Sequence, residues 1–211
     1  MASVDYTLYL VTDAPERYPQ PMLESVAAAI AGGATLVQYR DTASDKRLLY
    51  ERARALRELT RARGVPLIVN NDLELALAVD AEGAHVGQQD LPTEAARHVL
   101  GRGRILGLSV ANRGEFAAAD ESHIDYFGVG PVFATGSKAD AAPATGLDRL
   151  TEIAARSTRP VVAIGGITVD RAARVFACGV AGIAVIAALS QAADPAAAAR
   201  ALLAAKPAKR S

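Results

Sequence analysis

Short apolar runs recur at roughly even spacing along this chain, and most of them end at a polar residue or a glycine. A nearly continuous apolar run is typical of a parallel β-strand, because both faces of such a strand are buried. We therefore predict a strand at each run. The runs occupy residues 8–11, 36–37, 67–69, 83–86, 105–108, 126–129, 161–164 and 182–186.

Helical spacing of apolar residues fills the stretches between these runs. In residues 44–63, for example, Leu48, Leu49, Leu56 and Leu59 form one apolar stripe, and charged residues cover the remaining surface. The full set of predicted helices covers residues 21–31, 44–63, 73–79, 93–100, 113–119, 147–156, 169–177 and 195–205.

Eight alternations of strand and helix predict a parallel sheet with right-handed crossovers, and eight such units close a (β/α)8 TIM barrel. The rival is an open, doubly wound sheet, which usually has a glycine-rich turn after its first strand. Residues 12–15 carry no such turn. We predict an α/β fold with one domain over residues 1–211, a barrel core from about 7 to 205, and a frayed tail at 206–211.

The charge balance excludes some partners. The chain has 23 basic and 23 acidic residues, so no overall field favours nucleic acid or an acidic membrane surface. Cys178 is the one cysteine, which excludes an internal disulfide and fits a reducing compartment. Residues 1–7 lack the features of a signal peptide. We expect a cytoplasmic protein that acts on small molecules, and a homo-oligomer is possible.

Two carboxylates follow neighbouring predicted strands, where the carboxyl ends of barrel strands share one pocket. Asp72 comes after the third strand and Asp90 after the fourth. Such a pair suits Mg²⁺, which prefers oxygen ligands and also takes substrate phosphates. Helix capping is the alternative role for both residues. The histidines His85, His98 and His123 show no spacing that favours a transition-metal site.

A cation follows the second strand. Arg40 lies two residues after Gln38 and hence on the same strand face, so both side chains could reach the barrel mouth. A guanidinium can bind two phosphate oxygens at once. A structural salt bridge is the competing interpretation.

Two further segments favour an anionic substrate. The connection at residues 130–146 exceeds ordinary loop lengths and contains Thr135, Ser137 and Lys138, which suits a lid, although a solvated insertion is the alternative. The glycine pair at 165–166 and the strand end at 185–187 occupy the common phosphate site of TIM barrels.

Taken together, these motifs resemble the thiamine-phosphate synthase family from about Leu8 to Leu189. The resemblance is carried, in chain order, by Val37-Gln38-Tyr39-Arg40, Asn71-Asp72, His85-Val86-Gly87-Gln88-Gln89-Asp90-Leu91-Pro92, Gly107-Leu108-Ser109, Gly128-Val129-Gly130-Pro131-Val132-Phe133 and Gly165-Gly166-Ile167.

The resemblance implies a transferase with a TIM-barrel fold. It would join 4-amino-2-methyl-5-hydroxymethylpyrimidine diphosphate to 4-methyl-5-(2-hydroxyethyl)thiazole phosphate and release pyrophosphate. The pyrimidine methylene would pass through a cation-like species that the thiazole nitrogen captures. Catalysis would then rest on stabilising the departing diphosphate and positioning two rings, without a protein nucleophile.

The resemblance also assigns roles to individual residues. It implies that Asp72 and Asp90 bind Mg²⁺, and that Arg40, Lys138 and Ser109 take part in catalysis. The remaining contacts are to substrates. The implied pyrimidine diphosphate contacts are Gln38, Arg40, Asn71, Ser109 and Lys138, and the implied thiazole phosphate contacts are Thr135, Ser137, Gly166, Val185, Ile186 and Ala187.

Two positions depart from the family pattern. Thr42 follows Asp41 where a lysine is usual, and Lys46 could compensate, although its place at a helix start favours the surface. Ala187 stands where serine is common. Two other functions stay open, namely a thiazole tautomerase-like enzyme and a binding barrel without turnover. The tautomerases use a histidine after strand five, where this chain has Asn112.

Overall fold

Eight parallel strands close into a barrel in the computed structural model, which describes residues 4–41, 45–136 and 144–207. Each strand pairs with the next, and the first strand also pairs with the last, which closes the barrel. The predicted barrel is confirmed. The strands are β1 Leu8–Val11, β2 Leu36–Tyr39, β3 Leu67–Asn70, β4 Gly83–Val86, β5 Ile105–Val110, β6 Tyr126–Val129, β7 Val161–Ile164 and β8 Gly182–Val185.

Helices follow the strands and cover the outside of the barrel. In the described part of the chain they are α1 Met22–Ala31, α2 Lys46–Ala62, α3 Leu73–Ala78, α4 Thr93–Leu100, α5 Arg113–Ala118, α6 Leu147–Arg156, α7 Val169–Phe176, α8 Ala187–Ser190 and α9 Pro195–Ala204, with 3-10 turns at Pro15–Arg17 and Glu121–His123. None of these helices combines the length and the apolar character needed to cross a membrane.

Strand side chains alternate between two apolar layers. Leu8 and Leu10 belong to the large cluster between barrel and helices, whereas Tyr9 and Val11 belong to the cluster inside the barrel. This period-two alternation is hidden in the sequence, because both faces of a barrel strand are buried. The inner cluster comprises Tyr6, Tyr9, Val11, Leu36, Ile68, Ile105, Tyr126, Val162, Ala184 and Ile186.

The observed elements differ from the predicted ones mainly at their ends. β2 continues through Tyr39 and β5 through Val110, so each extends two residues beyond the predicted run. The short helix α8 directly after β8 is absent from the prediction, because four residues are too few to show helical spacing. The helix predicted to start at 44 begins at Lys46, where the Asp45 carboxylate accepts the Leu48 N–H and caps it.

Candidate functional site

The carboxyl-terminal ends of the eight strands form one edge of the barrel, which we call the rim. Arg40 lies at the rim directly after β2. The Thr12 hydroxyl fixes its backbone, because it accepts the Arg40 N–H at 2.8 Å and donates to the Arg40 carbonyl at 3.0 Å. No residue in the described ranges forms a hydrogen bond or ion pair with the Arg40 guanidinium. The alternative of a structural salt bridge is therefore not seen among them.

The next residue, Asp41, serves a different purpose. Its carboxylate is almost fully buried and accepts a hydrogen bond from Arg52 of α2 at 2.7 Å. The Tyr39 hydroxyl donates to the same carboxylate at 3.4 Å, and burial followed by the Asp41 charge raises the pKa of Tyr39. Asp41 thus ties the end of β2 to α2 behind Arg40.

The end of β3 contains an unusual backbone conformation. Asn71 has φ of 61°, in the left-handed region that few non-glycine residues adopt, although asparagine tolerates it. Its N–H donates to the His85 carbonyl at 2.8 Å, which ties the β3 end to β4. Such strain clusters at functional sites. The predicted substrate contact at Asn71 therefore coincides with a locally constrained turn.

Asp72 follows Asn71 and caps α3. One carboxylate oxygen accepts the Leu75 N–H at 2.8 Å, and the other lies 3.8 Å from Lys46 Nζ. Lys46 also donates to Glu74 at 2.7 Å, and this hydrogen bond and the Asp72 charge raise the pKa of Lys46. Lys46 is largely exposed, as its position at a helix start predicted, but it lies beside Asp72 at the rim.

Asp90 closes a tight turn after β4, where its Oδ2 accepts the Gly87 N–H at 2.7 Å. Asp72 thus makes the helix-cap contact that was the alternative to metal binding, whereas Asp90 caps no helix and instead holds the turn after β4. Each still has a second oxygen that makes no hydrogen bond to a described residue. Within the described ranges, no cluster of three or more histidine, cysteine, aspartate or glutamate residues could hold a metal. Two rim carboxylates fit Mg²⁺, which commonly binds one or two carboxylates together with water and substrate phosphates.

A row of hydrogen-bonded side chains crosses the barrel interior below the rim. Gln38 Nε2 donates to the Tyr9 hydroxyl at 2.8 Å, and the Tyr9 and Tyr126 hydroxyls are 2.9 Å apart. The Tyr126 hydroxyl is 2.8 Å from His85 Nδ1, and His85 Nε2 is 2.8 Å from Ser109 Oγ. We call these five residues the polar chain. It connects Gln38 and Ser109, which the sequence analysis assigned separately to the pyrimidine substrate.

The glycine pair after β7 supports the base of the predicted lid. Gly165 and Gly166 have φ of 102° and 63°, which favour glycine. A Cβ on Gly166 would lie 2.8 Å from the Ala134 carbonyl oxygen. Phe133 donates its N–H to the Gly165 carbonyl, and the Arg171 guanidinium lies 4.7 Å from the centre of the Phe133 ring. The start of the lid therefore packs against the backbone of the glycine pair. A side chain at Gly166 would push the lid backbone away.

The other predicted contacts lie on either side of this turn. Thr135 is described near the start of the lid, while Ser137 and Lys138 fall outside the described residues. Val185 ends β8, Ile186 precedes α8, and Ala187 is the first residue of that helix. Ser190 of α8 donates to the buried carboxylate of Asp13 after β1, at 3.5 Å. This contact joins the last and first strands at the rim.

Several residues at the site were missed by the sequence analysis. Tyr9, His85 and Tyr126 read as parts of apolar strands, and only the alternation of β1 would have placed Tyr9 inside the barrel. Thr12 was missed because its role is to hold the Arg40 backbone. Gln88 was missed as well, although its Nε2 donates to the Ser109 carbonyl at 2.7 Å.

Known proteins resemble this chain over nearly its whole length. A family model described as thiamine monophosphate synthase matches residues 8–189. A thiamine-phosphate synthase of Xanthobacter autotrophicus is 48% identical over 201 residues, which are 95% of each chain. A thiamine-phosphate synthase of Chloroflexus aurantiacus is 49% identical and covers 94% of this chain and 92% of the relative.

Solved structures agree with the sequence comparisons. Thiamine phosphate pyrophosphorylase from Pyrococcus furiosus superimposes with a TM-score of 0.86 at 38% identity over 96% of both chains. 3-Hexulose-6-phosphate synthase superimposes with a TM-score of 0.67 at 16% identity over 95% of this chain and 100% of that one, which shows a shared fold alone. With the family model matching most of its length, this chain belongs to the thiamine monophosphate synthase family.

Proposed function

We propose that the rim is the active site at which this chain, a thiamine-phosphate synthase and hence a transferase of thiamine biosynthesis, joins its two substrates. These are 4-amino-2-methyl-5-hydroxymethylpyrimidine diphosphate and 4-methyl-5-(2-hydroxyethyl)thiazole phosphate, and pyrophosphate leaves. One observation carries the assignment of the site. Arg40 lies at the same rim as Asp72, Asp90 and the glycine turn; Thr12 holds its backbone, and its guanidinium pairs with no described residue.

The ends of β2 to β4 form what we call the diphosphate side. Arg40 binds diphosphate oxygens, because a guanidinium offers two parallel donors to them. Gln38 and Asn71 contact the same substrate, and Lys138 neutralises the departing diphosphate. Thr12 acts indirectly by holding the Arg40 backbone in place.

Asp72 and Asp90 would hold Mg²⁺ through the carboxylate oxygens that make no hydrogen bond to described residues. When bound, the ion would offset the negative charge that accumulates on the leaving diphosphate. The same carboxylates also fix local backbone, Asp72 at α3 and Asp90 at the Gly87 turn. Their positions are therefore set before any ligand binds.

The lid, the glycine turn and the β8 end form what we call the thiazole side. Backbone groups around Gly166, Val185, Ile186 and Ala187 contact the thiazole phosphate, because glycine lets backbone N–H groups approach phosphate oxygens closely. Thr135 and Ser137 contribute hydroxyls from the lid. Ala187 in place of serine leaves the backbone N–H available, so its effect is mild.

The chemistry asks for positioning and charge stabilisation. The bond between the pyrimidine methylene and the diphosphate oxygen breaks, and the thiazole nitrogen supplies the electron pair for the new carbon–nitrogen bond. Diphosphate leaves with the electrons of the broken bond, so Arg40 and Lys138 stabilise the charge that develops. Ser109 contacts the pyrimidine substrate, and the two rings are held in reach of one another.

The tautomerase alternative needs a proton carrier after β5. Asn112 occupies that place and caps α5, where its Oδ1 accepts the Glu115 N–H at 3.0 Å. Its Nδ2 donates to the Glu115 carboxylate at 2.6 Å. An amide committed to a helix cap supplies no proton at neutral pH, so this contact favours the synthase.

The experiment supplies both substrates with Mg²⁺ and measures thiamine phosphate and pyrophosphate in the same reaction. We expect the two products to accumulate in equal amounts, and neither to form when one substrate is omitted. Isomerisation of the thiazole precursor without either product would establish the tautomerase. Tight binding of substrates with no reaction would establish the binding barrel.

We also retain the expectations that the enzyme works in the cytoplasm on free small molecules and that copies of the chain can associate. Sedimentation of the purified protein measures the second of these directly.

A further inference from the structure

The polar chain occupies space that two glycines leave open. Gly107 pairs with His85 on one side and with Tyr126 on the other, so it lies between them in the sheet. A Cβ on Gly107 would lie 2.3 Å from the Tyr126 ring and 2.4 Å from His85 Nδ1. Similarly, a Cβ on Gly128 would lie 2.9 Å from His85 Cε1. β5 and β6 thus each have a glycine at the place where His85 and Tyr126 meet.

Hydrogen bonding gives the polar chain a direction. The Gln38 amide presents Nε2 to the Tyr9 hydroxyl, and with this amide orientation the Tyr9 oxygen accepts the hydrogen bond. The Tyr9 proton must then point to Tyr126, because a buried hydroxyl without an acceptor costs free energy. In this order the Tyr126 hydroxyl donates to His85 Nδ1, which acts as the acceptor. A neutral His85 consequently carries its proton on Nε2.

The consequence of this order reaches the rim. His85 Nε2–H donates to Ser109 Oγ, so the Ser109 hydroxyl proton is directed away from the histidine. Gln88 holds the Ser109 backbone through its carbonyl. The Ser109 side chain is partly exposed at the end of β5. The other four residues of the polar chain are buried.

We propose that Tyr126 and His85 are positioning residues that set the Ser109 hydroxyl as a hydrogen-bond donor to an acceptor atom of the pyrimidine substrate. The proposal rests on the proposed function, because it takes Ser109 as a contact of that substrate. With the opposite His85 tautomer, the Ser109 hydroxyl would donate its hydrogen bond to Nε2. It could then only accept a hydrogen bond from the substrate. The polar chain therefore determines whether Ser109 acts as a hydrogen-bond donor or as an acceptor towards the substrate.

The protonation states of the tyrosines support this order. Burial raises the pKa of Tyr9 and that of Tyr126, so both hydroxyls keep their protons at neutral pH. Each remains able to donate to the next member.

The first test reads the tautomer in the protein without substrate. Nitrogen-15 NMR of the imidazoles identifies which ring nitrogen carries the proton, and a variant with His98→Gln and His123→Gln leaves His85 as the one imidazole in the chain. We expect a proton on Nε2 and none on Nδ1. A proton on Nδ1, or on both nitrogens, would overturn the proposal.

The second test measures binding of the pyrimidine diphosphate with Mg²⁺ by calorimetry. Tyr126→Phe removes the donor to His85 Nδ1, and we expect the Kd to rise about tenfold, the effect of one lost hydrogen bond. In this variant we also expect the imidazole proton of His85 to lie on Nδ1. Tyr6→Phe is the matched control, because its ring packs 4.9 Å from the Tyr126 ring while its hydroxyl stands outside the polar chain. We expect its Kd to equal that of the wild type.

A double-mutant cycle separates the proposal from a general packing effect. Ser109→Ala alone is expected to raise the Kd about tenfold, and Tyr126→Phe in that background is expected to add less than about twofold. Full additivity would show that Tyr126 acts independently of Ser109 and would refute the proposal. The NMR and binding measurements need no turnover, so failure of the synthase assay would leave them able to decide this proposal alone.

Discussion

In the proposed site, the diphosphate side and the thiazole side would bind anions by different means. The first presents charged side chains, with Arg40, Asp72 and Asp90 after three consecutive strands. The second presents backbone, at the Gly165–Gly166 turn, where a Cβ on Gly166 would meet the Ala134 carbonyl oxygen. On the diphosphate side local hydrogen bonds fix the two carboxylates and the backbone of Arg40, whereas on the thiazole side the absence of side chains lets backbone groups approach closely.

This difference follows from the demands on each side. A diphosphate that leaves with additional charge requires cations, and side chains supply them. A phosphate that only anchors a substrate needs neutral donors, which backbone N–H groups provide. Charge-removing substitutions should therefore impair the diphosphate side, and substitutions that add a Cβ should impair the thiazole side.

Asp72 provides the strongest test of the diphosphate side, because its cap and its proposed metal contact can be separated. Asp72→Asn keeps the acceptor for the Leu75 N–H but removes the charge. We expect kcat/KM to fall more than about a hundredfold, since substitutions in the outer shell of a metal site already cost 10–100-fold. The free energy of unfolding should stay within about 0.5 kcal/mol of the wild type, because the two residues cap equally well.

The matched variant is Asp72→Ala, which loses both functions. Its stability should fall by about 1 kcal/mol through the lost cap. Denaturant unfolding and the synthase assay together give the two quantities. If the asparagine variant remained fully active, Asp72 would be a cap and no more.

Arg40 is the next largest expected effect. Arg40→Ala should lower kcat/KM for the pyrimidine diphosphate about 10–100-fold, the range for a lost hydrogen bond to a charged group. The KM for thiazole phosphate should change little, because Arg40 lies at the end of β2. Steady-state kinetics with each substrate varied in turn measure both values.

Arg40→Lys sharpens the same result. It keeps the charge but loses the planar pair of donors, so we expect an intermediate loss. Equal activity of the alanine variant and the wild type would remove Arg40 from the site.

Gly166 tests the thiazole side. Gly166→Ala places a Cβ at φ of 63° and 2.8 Å from the Ala134 carbonyl oxygen, so the lid base must shift. We expect the KM for thiazole phosphate to rise about tenfold and the KM for the pyrimidine diphosphate to change much less. The left-handed conformation also costs stability, roughly 1–2 kcal/mol for a non-glycine residue.

Gly64→Ala is the control for that backbone cost. Gly64 follows α2 with φ of 66°, and a Cβ there would meet nothing within 4 Å. It should lose similar stability and keep the wild-type KM for both substrates. A raised KM for thiazole phosphate in this variant would mean that lost stability explains the Gly166 result.

The fold could be predicted because barrel strands are recognisable in the sequence as apolar runs that end in polar residues. The helix α8 could not, since its four residues give no period. The ends of β2 and β5 were missed because Gln38 and Ser109 are polar residues inside the barrel. A strand that carries function breaks the apolar pattern on which its prediction depends.

The candidate site divides in the same way. Arg40, Asp72 and Asp90 were accessible to sequence reasoning because each lies within four residues of the end of a predicted strand. His85 and Tyr126 were not, because their meeting depends on Gly107 lying between them in the barrel register. Contacts between distant strands are set by register, and the apolar pattern along one strand does not contain it.

Lys46 gives the smallest expected effect and tests how the diphosphate side manages without the usual lysine after Asp41. Its ammonium lies 3.8 Å from Asp72, and its raised pKa keeps it charged at neutral pH. It is also 74% exposed, so water screens its charge. We expect Lys46→Ala to lower kcat/KM for the pyrimidine diphosphate less than about threefold, in line with exposed ion pairs.

Thr42→Lys supplies the cation at the family position and separates compensation from coincidence. Thr42 itself lies outside the described residues. We expect this variant to raise kcat/KM for the pyrimidine diphosphate. We expect Lys46→Ala to have no effect in its background, because the lysine at the family position then supplies the charge that Lys46 would otherwise supply. If Lys46→Ala lowers activity equally in both backgrounds, Lys46 acts through Glu74 and the α3 start, and the missing lysine has no substitute at this position.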